Sequence, residues 1–122
     1  NNKADMIMTA HVYNKNLDAT NPATLSYNIN TKLLRNKLGF EGVLVSDDLQ
    51  MYAISKHYDL KQTLTLAINS GVDMLLFANQ LAKPISLKQI VDTVYSQILN
   101  EEISLEQIIK SNQRINRMTE KY

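Results

Sequence analysis

Two adjacent carboxylates, Asp47 and Asp48, close the stretch GVLVSDD and are the residues of this chain best placed to do chemistry. The aliphatic run Val43, Leu44, Val45 before them reads as a short strand buried on both faces, as in a parallel sheet. Ser46, Asp47 and Asp48 then fall at its C-terminal end, where the loops of α/β sheets and barrels build their sites. Side chains alternate along a strand, so Asp47 shares a face with Val45 and Val43 while Asp48 points the other way. The pattern predicts two different jobs. One carboxylate looks into a cleft, and the other caps the next helical turn.

Three strand candidates would position this pair: Asp5 to Val12, Val43 to Asp47, and Val72 to Ala78. Ser26 is the N-cap of a first helix that runs through Asn30, Leu33, Leu34 and Leu38 to Gly39. Asp59 with Gln62 forms a capping box for a second, which ends at Ser70 and Gly71 and has Leu60, Leu64, Ala67 and Ile68 as its apolar stripe. Ser86 with Gln89 opens a third helix whose Ile90, Val94 and Ile98 face inward. Ser104 with Gln107 opens a fourth, carrying Leu105, Ile108, Ile109, Ile115 and Met118. The resulting β-α-β-α-β-α-α order is that of repeated βα units in an α/β fold. Tyr13 to Leu25, Asn-rich and holding Pro22, reads as a long loop, and ordered loops of that length are usually functional. Three parallel strands leave two open sheet edges, and a complete (β/α)8 TIM barrel typically needs ~250 residues. The chain is therefore expected to be about half a barrel or a small open sheet.

Composition narrows the function classes. With 122 residues and 44% hydrophobic content, the chain suits one domain with a core of its own. Thirteen basic residues against 12 acidic ones give a net charge of +1, which argues against nucleic acid or an anionic membrane as partner. The charged stretch Arg114 to Lys121 reads as a solvated helix face. There is no cysteine, so disulfides, zinc-thiolate sites and thiol nucleophiles are excluded. The apolar runs are too short to span a bilayer. No signal peptide is visible, and the start at Asn1 rather than Met leaves an upstream segment open. Compartment stays open too, with the cytoplasm favoured over export.

Taken in order, seven segments are similar to one known family: MTAHV, LDATNPATLS, LRNKLGFEG, VLVSDDLQM, AISKHYDL, AINSGVDMLLFAN and EEISLEQIIKSNQRI. They resemble the C-terminal half of a family-3 glycoside hydrolase, in the bacterial β-N-acetylglucosaminidase (β-N-acetylhexosaminidase) branch. The resemblance implies that residues 1–122 are the C-terminal portion of the (β/α)8 catalytic domain: strands six to eight with their helices, plus a C-terminal helix. It implies retaining hydrolysis of terminal β-linked N-acetylglucosamine from peptidoglycan-type glycans, through a covalent glycosyl-Asp, with no metal and no organic cofactor. Asp47, the first Asp of the S-D-D motif, takes the nucleophile's place, and strand alternation agrees by pointing it toward the barrel axis. His11, ending the first strand, is expected to contact substrate or orient Asp47. Met51 would line the sugar subsite, with ordinary core packing as the open alternative. His57 is assigned to loop packing, and Asp73, in an apolar run, should be paired.

One part of the family pattern has no counterpart. The branch keeps its acid/base in a K-H-F-P-G-H-G-type loop, whereas the histidines here are His11 and His57 alone. The expected partners are therefore a carbohydrate substrate and the missing N-terminal half of the barrel, with the fragment inactive by itself and self-associating through its open edges. Two alternatives remain: a family-3 phosphorylase or other β-glycosidase, and a non-catalytic half-barrel that binds a partner.

Overall fold

Three extended segments run parallel in the computed structural model, which describes residues 4–80 and 83–122. Strand β1 (Met6–Met8) pairs with β2 (Val43–Val45), Met6 beside Val43 and Met8 beside Val45. The Thr9 N–H extends this pairing to the Val45 carbonyl at 2.8 Å. On the other side Val45 bridges to Met74, and the Ser46 N–H donates to the Met74 carbonyl at 2.9 Å.

The strands are shorter than the sequence predicts. Asp5 to Val12 contracts to Met6–Met8, Val43 to Asp47 stops at Val45, and Val72 to Ala78 is extended chain joined by a single bridge. Side chains displace the backbone ladder. Ser46 Oγ accepts from the Leu76 N–H at 2.9 Å, and Asp48 Oδ1 accepts from the Ala78 N–H at 3.2 Å. These side chains take N–H groups that a backbone ladder would otherwise use.

The first helix, Asn28–Lys37, starts where Ser26 Oγ accepts from the Ile29 N–H at 3.1 Å. It winds as a π-helix, an uncommon form, and polar anchors on its inner side hold it. Asn30 Nδ2 donates to the Ala23 carbonyl at 2.9 Å and to Ser70 Oγ at 3.1 Å, and Thr31 Oγ1 to the Ser70 carbonyl at 2.8 Å. The one-turn helix α1 (Tyr52–Ser55) is the helical turn expected after the carboxylate pair, with Met51 rather than Asp48 at its N-cap. Helix α2 (Leu60–Ser70) has the expected Asp59–Gln62 capping box and ends at Gly71 with φ 111°, a left-handed conformation that suits glycine. Ser86 and Ser104 cap α3 (Leu87–Leu99) and α4 (Leu105–Thr119) as predicted.

Leu25, Leu44, Ile54, Leu64, Ala67 and Val72 are buried between sheet and helices. Helix α3 packs through half-buried Ile90, Val94 and Ile98, with the Gln97 amide donating to Thr65 Oγ1 at 2.9 Å. Helix α4 turns Ile108, Ser111, Ile115 and Met118 inward, whereas Leu105 and Ile109, four residues apart on its flank, are exposed, contrary to expectation. Asp73 is paired as expected, and its carboxylate is fully shielded: Oδ2 accepts from Arg35 Nη2 at 2.7 Å and from the Leu44 N–H at 2.9 Å, and Oδ1 from Arg114 Nη1 at 2.9 Å. Arg114 is therefore not part of a solvated face, its side chain being only 15% exposed.

The opposite sheet surface is largely open. By register and alternation Met6, Met8, Val43, Val45, Met74 and Leu76 share that face, Val43 alone among them being fully buried. Met8 there is 56% exposed, and the outer edge of β1 pairs with no strand among the described residues. Among the same residues, no helix is long and apolar enough to cross a membrane.

Candidate active site

Beyond β2 the chain rises into a loop in which the N–H groups of Ser46, Asp48, Leu49 and Gln50 are all bonded. Asp47 lies two residues past Val45, above the open face, and is half-buried. Its Oδ1 accepts from the Asp48 N–H at 2.7 Å. Its Oδ2 has no hydrogen-bond donor among the described residues. Asp48 is buried, and its Oδ1 accepts from the N–H groups of Gln50 at 3.0 Å and Ala78 at 3.2 Å. The two adjacent carboxylates thus do separate work: Asp48 ties its loop to the third extended segment, and Asp47 is left presented.

The sequence placed His11 near this pair, and the structure shows the route. His11 Nε2 lies 2.7 Å from the Asp48 carbonyl oxygen, and Nδ1 lies 2.9 Å from Thr24 Oγ1. Both ring nitrogens are therefore engaged by protein, and neither meets the Asp47 carboxylate. The contact with this loop is thus to the Asp48 backbone. Met51 sits at the entry to α1, half-buried, with its N–H on the same Asp48 carbonyl at 3.1 Å. His57 is exposed in the turn after α1, away from these contacts.

Sequence reasoning missed an amide pair that braces the loop. Gln50 Nε2 donates to Asn79 Oδ1 at 2.9 Å, and the Asn79 N–H returns a bond to Gln50 Oε1 at 2.7 Å. Asn79 adopts φ 55°, a left-handed conformation that asparagine tolerates better than most residues. The available signal was an asparagine ending the apolar run of the third segment. Asp18 was also missed. Its carboxylate orders the Tyr13–Leu25 loop by accepting from the N–H groups of Thr20 at 2.8 Å and Asn21 at 3.0 Å, and from Ser26 Oγ. Burial pushes the Asp18 carboxyl upward, but bonds from Ser26, Asn21 and Thr20 prevail and hold it below the ordinary carboxylate value.

Chemically, the arrangement offers one carboxylate at a strand's C-terminal end as nucleophile or charge stabiliser. The second carboxylate is committed to backbone, so the pair is not an acid–base couple. No group of three or more His, Cys, Asp or Glu side chains forms a metal site among the described residues.

Comparison with known proteins agrees in fold and in family. Residues 1–118 match the model for the glycosyl hydrolase family 3 N terminal domain. That match corrects the expectation of a C-terminal half, because these βα units belong to the family's N-terminal domain. Beta-hexosaminidase A of Pseudoalteromonas piscicida is 34% identical, over 80% of this chain and 19% of the relative. A glycoside hydrolase family 3 β-N-acetylglucosaminidase from Paenibacillus sp. str. FPU-7 superimposes with a TM-score of 0.82 at 34% identity, over 95% of this chain and 22% of that one. The β-N-acetylglucosaminidase of Thermotoga maritima gives a TM-score of 0.83 at 28% identity, over 93% and 24%. Across the first curated relatives, the chain spans 19% to 32% of their length.

Proposed function

This chain belongs to glycosyl hydrolase family 3, and on that ground we propose that it carries the nucleophile side of a retaining β-N-acetylhexosaminidase site. An oxygen of Asp47 attacks the anomeric carbon and the aglycone oxygen leaves, taking a proton from an acid outside these residues. Water then cleaves the glycosyl-Asp ester bond and releases the sugar with retained configuration. The extended segments are strands six to eight of a (β/α)8 barrel, in the later part of the N-terminal domain. Terminal β-linked N-acetylglucosamine of peptidoglycan-type glycans is the substrate. Met51, beside the loop, lines the N-acetyl pocket with a flexible thioether. His11 acts on the loop rather than on the sugar's reacting atoms.

The observation that supports this reading is the division between the two carboxylates, Asp48 buried and bonded, Asp47 presented. The test is trapping in the complete enzyme with a slow glycoside modified at the sugar 2-position, followed by peptide mass mapping. A label on Asp47 is expected; a label on Asp48, or outside the peptide GVLVSDDLQM, would overturn the assignment. The open face of Met6, Met8, Met74 and Leu76 favours a second reading for the isolated chain. A second copy covers that face, and light scattering should then find dimers or larger species.

A further inference from the structure

Thr24 is fully buried at the end of the loop after β1, and its hydroxyl lies 2.9 Å from Thr9 Oγ1 and 2.9 Å from His11 Nδ1. A buried threonine hydroxyl between two polar side chains has a bland explanation, mutual satisfaction. The direction of these bonds gives it a larger role. At 2.7 Å from Nε2, the Asp48 carbonyl oxygen can only accept, so Nε2 must bear the proton. In the neutral ring Nδ1 is then an acceptor, and the Thr24 hydroxyl must donate to it. With its proton committed, Thr24 Oγ1 accepts in turn from Thr9 Oγ1–H. The order is thus Thr9 to Thr24, Thr24 to His11, and His11 to the Asp48 carbonyl, every donor pointing the same way.

The next bond continues to the site. The N–H of that same Asp48 donates to Asp47 Oδ1 at 2.7 Å. Resting on the reading of Asp47 as nucleophile, we infer that Thr24 is a positioning residue: by fixing the His11 tautomer it holds Asp48, and through Asp48 the Asp47 carboxylate. Without the hydroxyl, Nδ1 loses its donor and the ring is no longer forced to carry its proton on Nε2. A ring protonated on Nδ1 presents a lone pair to the Asp48 carbonyl, and two acceptors repel. The Asp48 carbonyl then keeps only the Met51 N–H as partner. Thr24 touches no reacting atom on this account; it sets where one is held.

Thr24→Val keeps the shape and removes the hydroxyl, while Thr24→Ser restores it. The backbone carbonyl of Thr24, which accepts from Asn30 Nδ2, is unchanged in either variant. Only two histidines are present, so ¹⁵N ring spectra of the histidine-labelled chain resolve His11, with exposed His57 as internal reference. Wild type and Thr24→Ser should show a single Nε2–H tautomer, and Thr24→Val a mixture. In the complete enzyme Thr24→Val should lower kcat roughly 10- to 100-fold with KM nearly unchanged, since small misplacements of reacting groups cost rates of that order; Thr24→Ser should recover most of it. A His11 tautomer unaltered in Thr24→Val overturns the inference. So does an unchanged kcat in an enzyme that Asp47→Asn inactivates. If Asp47→Asn leaves activity intact, the nucleophile reading fails, and the tautomer measurement still decides whether Thr24 positions His11.

Discussion

Replacing Asp73 by Asn is the sharpest perturbation the fold offers, because one carboxylate answers three donors. Oδ2 receives Arg35 and the Leu44 N–H, and Oδ1 receives Arg114. An amide has one acceptor oxygen and one NH2 group. With the oxygen at the Oδ2 position, the NH2 faces the Arg114 guanidinium; flipped, it faces both Arg35 and the Leu44 N–H. Either way donors oppose donors, and the arginines, with side chains 7% and 15% exposed, lose their counter-charge. Breaking a buried ion pair from one side typically costs ~3–5 kcal/mol. Urea unfolding followed by far-UV circular dichroism should show that loss, a midpoint lower by roughly 2 M for a slope of about 2 kcal/mol/M. Arg114→Met, which leaves the Arg35–Asp73 pair in place, should cost clearly less. A loss below about 1 kcal/mol for Asp73→Asn, or equal losses for the two variants, would refute the reasoning about uncompensated charge.

Gly71→Ala should destabilise by more than the ~1–2 kcal/mol of left-handed strain, because a Cβ there would sit 2.6 Å from Thr31 Oγ1; thermal unfolding measures it. Asp18, whose carboxyl is held low in the folded chain, should contribute stability at pH above ~3.9, the unfolded value, and lose it as pH falls through the folded one. Asp18→Asn should therefore weaken the fold at neutral pH and flatten the acid limb of a stability–pH curve. Residues 1–122 alone should turn over no aryl β-N-acetylglucosaminide, because general-acid help to the leaving group contributes ~10²–10⁴-fold. Turnover by the purified chain, free of contaminating enzyme, would count against that.

Helix starts were legible in the sequence because their signals are local: Asp59 with Gln62, Ser86 and Ser104 cap where the residue pattern put them. The order of parallel segments and the different surroundings of Asp47 and Asp48 followed from hydrophobic runs and alternation. Strand lengths did not, since they depend on Ser46, Asp48 and Asp73 capturing backbone N–H groups up to 30 residues away in the chain. The π winding of Asn28–Lys37 was equally hidden, being held by Asn30 and Thr31 reaching the distant Ser70. The bond from His11 to the Asp48 carbonyl was hidden as well, because no side-chain pattern announces a carbonyl.

The open sheet face also has a redox character. Met6 and Met8 on β1 and Met74 on the third segment, on either side of β2, are 40%, 56% and 37% exposed there. Thioethers so placed are open to peroxide, and each sulfoxide formed would turn an apolar knob into a polar, chiral one. The same surface that invites a covering partner is thus the one that oxidative damage would spoil. Protection of these three methionines from oxidation reports whether the face is covered, whatever covers it.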